Sequence, residues 1–102
     1  MIVVANRVPV DPARAEEFEA RFRESGGGGA GSFPGFIRSE VLRPIQGETY
    51  VVLTHWESRE AYEKWLQSDA FRMAHRNPAG AGVVSGHPVL EIHEVIQQHG
   101  AP

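Results

Sequence analysis

The sequence predicts an α+β fold with its elements in the order β-α-β-β-α-β, and three observations carry that reading. Residues 2–10 and 89–96 place apolar side chains at alternate positions, the period of a strand with a covered face. Residues 36–43 and 49–56 read as two further strands, separated by Pro44-Ile45-Gln46-Gly47-Glu48, a turn-forming segment that suits a hairpin. Between the strands lie two stretches with helical spacing, each introduced by a capping residue, Asp11 and Ser58.

In the first strand Ile2, Val4, Val8 and Val10 share a face, and Asn6 interrupts it. Asp11-Pro12 supplies an N-cap and a proline at the first helical position. The helix runs to about Arg23, with Ala15, Phe18 and Phe22 as its apolar stripe. Glu17/Arg21 and Glu19/Arg23 are i,i+4 pairs on its solvated side. The glycine-rich tract over residues 26–32 ends the helix as a flexible loop. After the hairpin, Ser58 caps a second helix carrying Ala61, Tyr62, Trp65 and Leu66. A break near Ser68-Asp69 restarts that helix over residues 70–76, and Asn77-Pro78 ends it. Gly80-Ala81-Gly82 loosens the linker to the last strand, and residues 97–102 read as a frayed tail.

This order is the ferredoxin-like split motif, one antiparallel sheet with two helices on one face. Strand three is apolar on both faces: Tyr50, Val52, Thr54 and Trp56 oppose Val51 and Leu53. Strand four likewise sets Leu90, Ile92 and Ile96 against Val89 and Val95. The face without helices needs cover, and sheet-to-sheet pairing in a homodimer is the economical way to supply it.

The 102 residues suit a single domain, 1–102, with a core of modest depth. A net charge of −3 with 23% charged residues provides no basic surface for nucleic acid or an anionic membrane. The absence of cysteine excludes disulfides, thiolate nucleophiles, thiolate metal ligands and C-x-x-C-H attachment. The first residues carry neither a basic leader nor a long apolar stretch, and no apolar run approaches the roughly 20 residues that span a bilayer. The expectation is a soluble, cytoplasmic protein.

Three polar or aromatic residues stand out: Asn6, Trp65 and His75. Together they are a kit for holding a flat metal macrocycle, because an imidazole ligates iron, an indole presses on a ring face and an amide hydrogen-bonds a ligand. Each also has a plain structural explanation. Asn6 points with Ile2, Val4 and Val8, where an amide can bond nearby backbone. Trp65 has apolar helical neighbours, and His75 lies at a helix C-terminus, where a cation gains from the dipole. In an unbroken helix the ten residues between Trp65 and His75 would separate them by about 15 Å and about 80°. Both reach one ligand only if the segment bends, for which Ser68-Asp69 is the place, and Phe71 then walls the same pocket. His55, His87, His93 and His99 show no metal-ligand spacing. Gly26-x-Gly28-x-x-Gly31 matches the dinucleotide fingerprint in letters alone, since it follows a helix and precedes no helix.

The chain resembles the antibiotic-biosynthesis-monooxygenase (ABM) superfamily, and within it the IsdG-type haem-degrading monooxygenases. The likeness covers nearly the whole chain: Asn6-Arg7, Arg21-Phe22, Phe33-Pro34-Gly35-Phe36, His55-Trp56-Glu57-Ser58-Arg59-Glu60-Ala61, Trp65-Leu66-Gln67-Ser68-Asp69-Ala70-Phe71 and Ala74-His75. The Pro-Gly-Phe and Trp-Glu-Ser elements are shared across the superfamily. The specific part is Asn6, Trp65 and His75, which fall where the haem degraders carry Asn, Trp and His. Many other members have His near the Trp65 position.

The resemblance implies a dimeric α+β barrel with one haem pocket per protomer, between sheet and helices. It implies that haem is both cofactor and substrate, and that O₂ and an external electron donor, a reductase or a small-molecule reductant, complete the reaction. It implies His75 as axial ligand of the haem iron, Asn6 as distal hydrogen-bond donor and Trp65 as the side chain that presses on and ruffles the ring. Phe22, Phe71 and Arg21 join the cofactor pocket. Arg21, Arg23 and Arg76 are propionate candidates by charge alone, with surface ion pairing as the plain alternative for each. Two other functions fit the same residues. One is a cofactor-independent ABM-type oxygenase acting on a phenolic or quinol-like molecule; the other is a haem-binding protein that leaves haem intact.

Overall fold

The computed structural model describes residues 1–25, 33–74 and 85–100. Strand β1 (Ile2–Pro9) leads into a 3-10 turn (Pro12–Arg14) and helix α1 (Ala15–Ser25). Strands β2 (Phe36–Leu42) and β3 (Thr49–Trp56) form the hairpin, helices α2 (Arg59–Leu66) and α3 (Asp69–Ala74) follow, and strand β4 is Val89–Glu94. The sheet order is β2-β3-β1-β4, with every neighbouring pair antiparallel, the arrangement the element order predicts.

The boundaries differ from the sequence reading in instructive ways. The first helix opens as a 3-10 turn: the Asp11 side chain accepts from Ala13 N at 2.9 Å while Arg14 N donates to Asp11 O at 2.8 Å, an i→i+3 bond. Proline has no N–H to give, so the tighter turn leaves little of this terminus unpaired. Strand β4 stops at Glu94 because β1 does: Glu94 faces Ile2, and Val95 N donates to Met1 O at 3.0 Å as the last rung. Residues 97–100 form neither helix nor strand. The glycine-rich tract, His75, Arg76, Asn77-Pro78 and Gly80-Ala81-Gly82 lie outside the described residues.

Gly35 locks the start of β2 against the second helix. Its φ of +88° suits glycine alone, and a Cβ there would lie 2.4 Å from the Ala61 Cβ. Its carbonyl accepts from Glu57 N at 2.8 Å, and Ser58 Oγ caps α2 by accepting from Ala61 N at 3.1 Å. The helices cover one face of the sheet in two separate apolar clusters. One joins Ile2, Val4, Trp56, Tyr62 and Trp65; the other joins Val8, Val10, Phe18 and Tyr50. No helix among the described residues is long and apolar enough to cross a membrane.

Candidate functional site

The sheet register puts one cross-strand row between those clusters. Val41 of β2 pairs with Val52 of β3, Val52 with Asn6 of β1, and Asn6 with Leu90 of β4. At ordinary strand spacing the row spans about 14 Å. Along β1 on the same face, Val4 belongs to the Trp56 cluster and Val8 to the Phe18 cluster, each 5% exposed. Asn6, between them, is half-buried, while Leu90 keeps 54% of its surface exposed and Val41 36%. The row is therefore the floor of an apolar trough with one amide near its middle. Among the described residues nothing hydrogen-bonds the Asn6 side chain, so it does not bond nearby backbone here.

One wall comes from α2 and α3. Trp65 is 7% exposed and packs on Trp56 at 5.5 Å between ring centroids and on Phe71 at 4.8 Å, the latter edge to face at 81°. Ser68 makes the bend that brings Phe71 back to Trp65. Its hydroxyl donates to Trp65 O at 2.6 Å and accepts from Phe71 N at 3.1 Å, closing one helix and opening the next. The break expected at Ser68-Asp69 is present, and in this cluster Trp65 is first a core residue. His75, one residue beyond the described end of α3, lies outside the described residues.

The opposite wall is α1. Phe22 packs on Phe18 at 5.0 Å in the second cluster, and Arg21 is ion-paired with Glu17 at 3.5 Å. Glu19 departs from the sequence reading. Its carboxylate turns from Arg23 toward the hairpin, where Arg43 Nε donates to it at 2.8 Å and Arg43 Nη2 and the Tyr50 hydroxyl donate as well. The reason is a buried phenol: Tyr50 faces the core, and its hydroxyl needs an acceptor, which Glu19 of α1 supplies. Hydrogen bonds from Arg43 and Tyr50 hold the Glu19 carboxyl down at about 2, whereas burial and the Glu19 charge push the Tyr50 phenol up. This clamp lines a cleft of about 400 Å³ together with Phe22, Arg23 and Val41. Through Val41 the cleft continues the trough floor. Sequence reasoning missed the clamp because its members are 24 and 31 positions apart; the inward parity of Tyr50 was the one available signal.

The face without helices carries Val3, Ala5, Val51 and Leu53, bordered by a His55–Glu40 pair. His55 is 8% exposed, its Nε2 lies 2.9 Å from Glu40 Oε1, and its Nδ1 has no partner among the described residues.

The antibiotic biosynthesis monooxygenase profile matches residues 1–77 of this chain. A mycobilin-producing haem oxygenase of Mycobacterium tuberculosis is 35% identical over 100 residues, covering 97% of this chain and 93% of that protein. The chain belongs to the ABM family, in its IsdG-type haem-degrading branch. A staphylobilin-producing haem oxygenase of Staphylococcus haemolyticus is 39% identical over 80 residues, covering 76% of this chain and 75% of that one. The structure of MhuD, a haem degrader from Mycobacterium tuberculosis with two haems in its active site, superposes with a TM-score of 0.83 at 34% identity, covering 98% of this chain and all of that one. In this ABM chain, then, the trough lies on the helix-covered face of the sheet. The half-buried Asn6 amide lies on that face between the two apolar clusters.

Proposed function

We propose that this protein is a haem-degrading monooxygenase that opens the porphyrin ring with O₂ and electrons from an external donor, releasing an open tetrapyrrole and iron. The single observation that carries the reading is the position of Asn6, a half-buried amide in the middle of an apolar row between two packed clusters. The row fits a flat, apolar macrocycle: its floor is aliphatic, and aromatic side chains of Trp65, Phe71 and Phe22 stand to either side. Membership of the haem-degrading branch supports the same conclusion. Bound haem supplies the redox chemistry at iron and is itself the molecule oxidised.

The chain's own residues then have distinct tasks. Asn6 orients a polar ligand over the centre of the floor by hydrogen bonding. Trp65, braced by Trp56 and Phe71, bears on the ring, and with Phe22 it keeps water from the apolar faces. By the sequence resemblance, His75 would supply the imidazole that holds the haem iron. Two protomers pair through the Val3, Ala5, Val51 and Leu53 face to give the dimeric barrel. A cytoplasmic setting suits the need for reductant. The test is a haemin titration followed by ascorbate in air, repeated with His75→Ala. The expected result is a Soret band that decays to a bilin-like spectrum only when His75 is present. No specific binding would overturn the reading, and binding without decay would make the protein a haem carrier.

A further inference from the structure

We infer that Trp65, Trp56 and Tyr62 form an outlet for oxidising equivalents, leading from the trough wall toward solvent, through which the protein reduces peroxide with an external reductant. The haem end of this path rests on the haem reading above. The chain has two tryptophans, two tyrosines and no cysteine. Both indoles and one of the phenols lie together in the Trp56 cluster. Trp65 meets Trp56 at 5.5 Å between ring centroids, and Tyr62 meets Trp56 at 5.7 Å and Trp65 at 6.4 Å, distances at which rings touch. Once thiols are absent, indole and phenol are the side chains that most readily give up one electron, and exchange is fastest between rings in contact. The other phenol, Tyr50, lies toward the opposite end of β3, about 20 Å from Trp56 at ordinary strand rise.

Packing alone does not account for Tyr62. The residue is buried, yet its hydroxyl makes no hydrogen bond among the described residues, whereas Tyr50 donates to Glu19 and the Trp56 indole to Thr54. A phenylalanine would fill the same space without desolvating a hydroxyl. What the hydroxyl adds is an electron donor that sheds a proton. Burial pushes the Tyr62 phenol up, so it keeps its proton near neutral pH and loses it only together with an electron, leaving an uncharged radical. The oxygen is not sealed from solvent as His55 Nδ1 is, so water can take that proton. The balance closes with peroxide as oxidant and ascorbate as reductant. Peroxide takes up two electrons, by way of bound haem, and two protons to give two waters. Each electron leaves Trp65, is made good from Trp56 and there from Tyr62, and one ascorbate monoanion returns an electron and a proton to the Tyr62 radical.

The path is tested first in the haem-free protein. Azide radicals made by pulse radiolysis oxidise tryptophan, and the indolyl absorbance should pass to a tyrosyl absorbance at a rate independent of protein concentration. Tyr62→Phe should abolish that conversion while keeping the wild-type urea midpoint, and Tyr50→Phe should leave the conversion unchanged. Conversion that survives Tyr62→Phe, or that Tyr50→Phe removes equally, overturns the inference. The haemin-loaded protein is then mixed with hydrogen peroxide and frozen for electron paramagnetic resonance. Wild type should show a tyrosyl radical that ascorbate quenches; Tyr62→Phe should lack it and accumulate oxygen on Trp65 or Trp56, read by peptide mass spectrometry. Equal tryptophan oxidation in the two proteins overturns the outlet. If haemin does not bind, the haem reading and the haem end of the path fall together, and the haem-free measurement still judges the path from Trp65 to Tyr62.

Discussion

The two clusters beneath the helices do the same job by opposite means. The Trp56 cluster is closed by rings: Trp56 is fully buried, touches Phe33, Phe36, Tyr62 and Trp65, and satisfies its indole N–H locally on Thr54 Oγ1 at 3.0 Å. The Phe18 cluster is closed by a charge, because Tyr50 brings a phenol into the core and the Glu19–Arg43 pair must follow to satisfy it. One wall of the trough should therefore be indifferent to pH and salt, and the other should respond to both. An apolar seam resists conditions, whereas a polar clamp fixes geometry at the cost of depending on them.

The hardest test of that contrast is Trp56→Ala. Emptying the largest fully buried side chain leaves a cavity that the surrounding aromatic rings cannot collapse to fill, and the expected loss is about 3–5 kcal/mol. Urea unfolding at pH 7 and pH 4, with and without 1 M salt, should return the same difference from wild type each time. A difference that shrank in acid or salt would mean that this half also leans on charge.

Glu19→Gln is the counterpart, with an expected loss of about 1–2 kcal/mol at pH 7. Its signature is the pH dependence. The folded-state carboxyl sits near 2, below its ordinary 4.5, so its contribution is fully present above about 4.5 and disappears as pH falls toward about 2. The gap between wild type and variant, followed by urea midpoints, should close across that window and stay open above it. A gap independent of pH would assign Glu19 a packing role instead.

The same contrast explains what was legible in the sequence. Strand parity grouped Val4, Asn6 and Val8 along β1 and Tyr50, Val52, Thr54 and Trp56 along β3, and the register joins both groups on the one helix-covered face, because a period of two is local. The break at Ser68 was legible too, since its hydroxyl serves residues three away on either side. Element ends were less so: β4 stops where β1 stops, which the β4 sequence does not encode. The clamp was invisible for a related reason. Glu19 has a good i,i+4 partner in Arg23, and only the tertiary fold offers a better one 24 residues on. The trough itself belongs to neither cluster; its existence follows from the helices gathering over opposite ends of β1, which no single segment specifies.

Asn6→Val should have the smallest effect on stability and the opposite sign. The amide sits half-buried between Val4 and Val8 with no hydrogen bond to its side chain among the described residues. A β-branched aliphatic residue suits strand backbone and continues the floor from Val52 to Leu90. Replacing an unpaired amide by an apolar group of similar size is neutral or stabilising by up to about 1 kcal/mol. Turnover should move the other way, with haemin still bound but its decay under ascorbate slowed at least tenfold, since the variant removes an orienting group and leaves the apolar seat intact. A variant that lost stability would show that Asn6 serves the fold through contacts the bare sheet does not reveal. A variant that kept full turnover would leave the family resemblance standing and strip Asn6 of its role. Stability left unclaimed at a position that easily admits a better-packing residue is what a binding floor costs, and in this chain that position is the boundary between the ring-closed and the charge-closed cluster.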